Sequence, residues 1–180
     1  KQFLSHYQHM LANNQHQVIR FVTRSQGLML RKGCHDHVRT LQELSAAHLS
    51  FIGRDRHSGT RLLFNLLLNQ QGLVEDCINR TSQQEYTHTA IAAFVASGMA
   101  DVGFGVQAAA DQFGLNFIEL ASEHYLLLYR KDHLPAETLT PLLNLMRSPA
   151  FIERIHAVAG YTPDNPGDLT TFAQLITEDA

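Results

Sequence analysis

The stretch Phe51–Leu73, FIGRDRHSGTRLLFNLLLNQQGL, decides how the rest of the chain is read. It opens on a short apolar run that stops at Gly53, the length of a buried strand. From Ser58 the pattern changes. Leu62, Leu63, Leu66 and Leu67 fall at helical spacing and Gly72 supplies a stop, so a helix of about a dozen residues is expected here. Between strand and helix lies a loop carrying Arg54, Arg56, Ser58, Gly59, Thr60 and Arg61. A loop that leaves a strand and enters a helix presents unpaired backbone N–H groups at the positive end of the helix dipole, and such a place favours an anion. Ser58 and Thr60 add hydroxyl donors, Gly59 permits close approach to the backbone, and Arg54, Arg56 or Arg61 supplies a charge-assisted pair. The competing reading is that Ser58 caps its helix while the arginines face water. The stretch is too short for the G-x-x-x-x-G-K-[ST] phosphate loop, which gives nucleotide hydrolysis little support.

The same grammar recurs outward from this stretch. THTAIAAFVASG, residues 87–98, offers Thr87 as an N-cap and Gly98 as a stop. QVIRFVTR and GLMLRK read as consecutive extended segments after an N-terminal helix around FLSHYQHMLA. ADVGFGV, NFIEL and HYLLLYR read as short strands. LTPLLNLMRSPAFIERIHAVAG supplies two helices, the second opened by Pro149. YTPDNPGDLTTFAQLITEDA mixes turn residues with a final amphipathic helix. Strand-length runs alternating with helical patterns predict an α/β fold.

Composition limits what such a fold does. With 180 residues, 44% of them hydrophobic and 17% charged, the chain is long enough for one domain or two small lobes with a real core. Lys+Arg 14 against Asp+Glu 17 gives a net charge of -3. That balance lacks the basic excess of a module that grips nucleic acid unaided, so any DNA contact has to come from elsewhere. Cys34 and Cys77 form no CxxC pair, which fits a reducing compartment. No apolar run approaches 18 residues and the first residues lack a signal-peptide core, so neither a membrane span nor an export signal is expected. The chain opens on Lys1 rather than Met, and an upstream segment is expected.

Catalysis finds no footing. There is no G-x-S-x-G elbow, and no base is placed beside Ser58 by the sequence. Glu85 and His88 flank the predicted cap Thr87, where a histidine reads as a hydrogen-bonding or ligand-contacting group rather than a general base. These three are second-tier pocket candidates. Cys34, His35, Asp36 and His37 are adjacent, but neighbouring residues of an extended segment point to alternate sides, so GCHDHV reads as a surface turn and not a metal cluster. No HExxH spacing occurs among the remaining histidines. No cofactor is expected.

Taken in order, S-G-T-R, the S-G-x-A-D-x-G turn at Ser97–Gly103, and MRSPAFIERIHAVAGY closing on G-Y resemble the periplasmic-binding-protein-like (type II) ligand-binding domain fused to helix-turn-helix regulators and to molybdopterin-synthesis proteins. Type II solute-binding proteins share the architecture and, more remotely, so do LysR-type effector domains. The resemblance covers roughly residues 18–168. It implies a two-lobed α/β fold, joined by the crossing segments SQGLMLRKG and SEHYLLLYRKDH, with one lobe made of 1–33 plus 122–180 and the other of 34–121. It places the Glu85–His88 loop beside S-G-T-R and a small ligand in the cleft, where Gln26 and Tyr125 on the crossings either reach in or, for Tyr125, only pack the hinge. Two departures stand out. There is room for only a fragment of the strand-helix-strand that usually precedes the first crossing, and GCHDHV replaces the usual G-N-P-x-G-I turn. The function implied is the effector-sensing domain of a cytoplasmic bacterial transcriptional regulator. Its ligand would be a small anion, molybdate or tungstate by family association, and it would act on DNA through a helix-turn-helix domain outside this sequence. The alternative is the substrate-binding component of an ABC-type anion transporter. A third reading is a ligand-free interaction module fused to a biosynthetic enzyme. An opening lobe short of its lead segment leaves Phe3, Leu4, Tyr7 and Leu11 as an uncovered helical face, so a homo-oligomer is expected.

Overall fold

A computed structural model describes residues 15–178, apart from the side chains of 176–178. The expected helix around residues 3–12, with its apolar face, lies outside the described residues. The first element, β1 (His16–Leu30), is one continuous strand where the sequence suggested two, because Ser25, Gln26 and Gly27 continue the extended backbone without a turn. Then come α1 (Leu41–Ala47), β2 (Phe51–Arg54), α2 (Gly59–Gln70) and a 3-10 turn at Glu75–Cys77. They are followed by β3 (Arg80–Glu85), α3 (His88–Ala96), β4 (Val102–Val106) and α4 (Gln107–Gln112). β5 (Asn116–Arg130) merges the expected NFIEL and HYLLLYR strands. The chain ends in α5 (Ala136–Met146), α6 (Pro149–His156), β6 (Tyr161–Pro163), β7 (Leu169–Thr170) and α7 (Phe172–Glu178).

These strands form a single mixed sheet in the order β3-β2-β4-β1-β5, with β6 and β7 also pairing with β1. β2 runs parallel to both β3 and β4, whereas β1 is antiparallel to β4, β6 and β7. Contacts group the described parts of Lys1–Arg24 and Glu123–Ala180 into one unit and Ser25–Ser122 into another.

The 25–122 unit buries a core on each face of its sheet, and strand alternation sorts the residues between them. Leu28, Leu30, Phe51, Val102 and Phe104 face α1 and α2, where Phe64 stacks on Phe51 at 4.7 Å and tilts against Phe104 at 5.1 Å. Met29 and Ile52 face Ile91, Ala92 and Val95 of α3 and Ala109 and Ala110 of α4. β4 reaches α3 through its glycines, since a Cβ on Gly103 would sit 2.5 Å from Ile91 Cγ2. β3 lies at the end of the strand order, and its register against β2 shifts between Phe51 and Gly53. Such an irregularity discourages pairing with another chain.

The other unit packs Ile19 of β1 against Leu143 and Met146 of α5, with Phe21, Leu127, Tyr129 and Phe151 around them. R-S-P-A-F is a folding signal in this unit. Ser148 caps α6 by accepting from Phe151 N–H, Pro149 occupies its first turn, and Arg147 Nη2 donates to Gly167 O at 2.8 Å, holding the 165–168 turn. The closing G-Y takes part as well. The Tyr161 hydroxyl interacts with Arg24, whose guanidinium also pairs with Glu123.

Candidate functional site

Three parallel strands end at one edge of the 25–122 unit, and the chain leaves them in different directions. From β2 it enters α2 on one face. From β3, next to β2, it enters α3 on the opposite face. A crevice at the carboxyl ends of parallel strands opens where neighbouring connections diverge in this way.

The two helix starts are built alike. Ser58 has extended backbone and its Oγ accepts from Arg61 N–H at 3.1 Å, and Thr87 does the same for Ala90 N–H at 3.0 Å. Arg61 and Leu62 N–H donate to Ser58 O, which leaves the Gly59 and Thr60 amides as the first-turn donors that no helical carbonyl can reach. Each capping hydroxyl accepts one bond and keeps its own O–H to donate. The loops are tied together: Asp55 N–H donates to Glu85 O at 3.0 Å, and Arg54 Nη2 donates to Tyr86 O at 2.7 Å. Thr60, nearly buried, places its Oγ1 3.5 Å from His88 Nε2, the far limit of a hydrogen bond. Gly105 makes room for that ring, since a Cβ there would lie 2.8 Å from His88 Nδ1.

Ser58, Gly59, Thr60, Arg54, Glu85, Thr87 and His88 are therefore brought to one edge. The other sequence candidates are disposed differently. Arg61 has its guanidinium engaged by Glu75, with Nε 2.6 Å from Oε1 and Nη2 2.8 Å from Oε2, while Nη1 lies 3.4 Å from Arg54 O. Arg56 is exposed and its Nε donates to His57 Nε2 at 3.0 Å. Gln26 is fully buried on β1 opposite Val106. Tyr125 belongs to the other unit, packed 6.2 Å from Phe21 with the Arg24 guanidinium 4.3 Å above its ring.

The hydrogen bonds from Arg61 hold the Glu75 carboxyl below the usual carboxylate range, against a smaller opposing effect of burial. Hydrogen bonds from Ser50, chiefly its hydroxyl, do the same for Asp101 of the S-G-x-A-D turn. GCHDHV forms a turn with Gly33 at φ 71 and His35 at φ 57, and His35 Nε2 lies 3.4 Å from Asp101 Oδ1. Among the described residues no three His, Cys, Asp or Glu side chains are placed to hold a metal. No described helix is long and apolar enough to cross a membrane.

Three residues escaped the sequence reading. Tyr86 is 74% exposed at the edge of the site, Gly105 seats His88, and Glu75 engages Arg61. Only Gly105 left a signal, in the alternating glycines of VGFGV, which bare one face of β4 for α3.

Residues 2–147 match the PBP_like family, described as the PBP superfamily domain. The Bacillus subtilis (strain 168) uncharacterized protein YvgK is 30% identical over 128 residues, 71% of this chain and 42% of YvgK, so the chain spans less than half of that relative. The tungstate binding protein TupA from Desulfovibrio alaskensis G20 superposes with a TM-score of 0.58 at 14% identity, over 82% of this chain and 70% of its own. The CcmR regulatory domain of Synechocystis PCC6803, in complex with 2-PG, gives a TM-score of 0.58 at 17% identity, over 73% of this chain and 66% of its own. At such identities the likeness is one of fold, shared by a binding protein and a regulatory domain. The family match covers most of the sequence, and the chain belongs to the PBP superfamily as a PBP-like ligand-binding domain.

Proposed function

We propose that the edge formed by Ser58–Thr60 and Thr87–His88 binds a small oxyanion, with molybdate or tungstate the leading ligands, and that the chain is the effector-sensing domain of a bacterial transcriptional regulator. The observation that carries this reading is the meeting of two capped helix starts at the ends of parallel strands, joined by Thr60 and His88. The anion's oxygens accept from the Gly59 and Thr60 amides and from the Ser58 and Thr60 hydroxyls, while the dipoles of α2 and α3 favour its charge. Because Arg61 is engaged with Glu75, the donors are mainly neutral. In this reading ligand binding is passed in the cytoplasm to a helix-turn-helix domain outside this chain. The PBP-like fold of a CcmR regulatory domain supports the regulator class. The second reading, the substrate-binding component of an anion transporter, draws the same kind of support from TupA.

Calorimetric titration of tungstate, molybdate and sulfate into the protein, Ser58→Ala and Thr60→Val tests the site. Losing one hydroxyl donor costs about 1 to 2 kcal/mol, so affinity is expected to fall about tenfold in each variant. Equal affinity in all three proteins refutes the assignment.

A further inference from the structure

We infer that Glu75 sets the charge selectivity of this edge, fixing how strongly it prefers a doubly charged oxyanion to a singly charged one of the same shape; the inference rests on the reading that the edge binds an oxyanion. Arg61 is the arginine of S-G-T-R, yet its guanidinium meets the Glu75 carboxylate through two nitrogens, and its Nη1 lies 3.4 Å from Arg54 O. Arg80 reaches the same carboxylate, with Nη1 3.4 Å from Oε1, while its guanidinium lies over the Phe51 ring. Gly53 makes the arrangement possible. A Cβ there would overlap the Arg80 guanidinium and sit 3.3 Å from Arg61 Nη1.

Two arginines thus share one carboxylate at the carboxyl end of β2, so this trio carries one net positive charge beside that of Arg54, whose Nη2 meets the Tyr86 carbonyl. Arg61 lines a narrow crevice under the loop together with Thr60, Arg54 and the rings of Phe64 and Phe104. A charge beside aromatic walls acts on a nearby anion more strongly than it would through water. Its effect scales with the anion's own charge, so a dianion feels twice what a monoanion feels. Glu75 holds the trio's charge at one instead of two, and Arg80 holds it at one instead of zero.

Tungstate and perrhenate separate charge from shape, being tetrahedral oxyanions of nearly equal size that carry two charges and one. Calorimetry on the whole chain gives the ratio of their affinities in the wild type, Glu75→Gln, Arg80→Gln and the double variant. One unit of charge, partly screened because Glu75 is 37% exposed, is expected to change that ratio about fivefold. Glu75→Gln is expected to raise the preference for tungstate, Arg80→Gln to lower it, and the double variant to return near the wild-type value. Loosened packing would weaken both anions in both variants and could not produce opposite shifts. A ratio that stays constant, or moves the same way in both single variants, overturns the inference while leaving the site standing. A wild-type protein that binds neither anion at millimolar concentration overturns the site and the inference together.

Discussion

Replacing Gly27 with alanine is expected to be among the most damaging single-methyl changes in the chain. Gly27 of β1 lies directly against the backbone of β5. A Cβ built on it overlaps the carbonyl oxygen of Ile118 and stands 2.7 Å from Ile118 C and 2.9 Å from Glu119 Cα, all backbone atoms that no rotamer change can move. Ordinary contact begins at 3.4 Å, so the two strands would have to part by more than half an ångström, and further still to clear the oxygen. Hydrogen bonds between them would stretch past useful length, losing about 1 kcal/mol each, on top of about 1 to 3 kcal/mol of overpacking strain. Lower entropy of the unfolded alanine chain returns about 0.4 to 1 kcal/mol. The net expectation is a loss of about 2 to 4 kcal/mol. Gly33→Ala is the control, because Gly33 has a φ of +71 but nothing within 4 Å of its would-be Cβ, so only backbone strain of about 1 kcal/mol applies. Urea unfolding followed by circular dichroism compares the three proteins. A Gly27→Ala variant no less stable than Gly33→Ala would refute the close-approach argument.

Ser58→Ala and Thr87→Ala each remove a capping acceptor, so each should lower stability by about 1 kcal/mol in thermal or urea unfolding. Gly105→Ala presses on Met29 Cε and His88 Nδ1, which are side-chain atoms able to shift; a stability loss of about 1 kcal/mol with about tenfold weaker oxyanion binding is expected from melting curves and calorimetry. Asp101 is depressed in the folded state, chiefly by the Ser50 hydroxyl, so its stabilisation is present above the ordinary aspartate value near pH 4 and is lost as the pH falls through the lower folded value. Asp101→Asn should therefore cost about 1 kcal/mol at pH 7, discounted for partial exposure, and should flatten the acid limb of unfolding midpoints between about pH 5 and pH 2.

Much of this was legible in the residues because the signals were local. Ser58 and Thr87 announced two helix starts, and Gly72 and Gly98 take the positive φ their helix ends require, at 71° and 79°. Pro149 opened the helix it was expected to open. Elements whose character comes from packing were harder to read. β3 spells Arg-Thr-Ser-Gln-Gln-Glu, with no apolar alternation, and is a strand because β2 offers it a parallel partner. α4 is six residues long and held by two alanines against β4. β1 and β5 looked divided because each changes its polar pattern midway, yet their backbones continue unbroken. The site followed the same rule. Its hydroxyls and glycine could be named from the S-G-T-R spacing, but the direction of Arg61 depends on Glu75, 14 residues away along the chain. The seat of His88 likewise depends on Gly105 of a different strand.

Tungsten's anomalous scattering reads directly where an oxyanion sits on this protein. Crystals of the protein grown with tungstate, with diffraction recorded at the tungsten absorption edge, should give one strong anomalous peak within hydrogen-bonding reach of the Gly59 and Thr60 amides and the Thr60 hydroxyl, beside His88. A strong peak at another place in the chain, or none in crystals holding millimolar tungstate, would contradict the account.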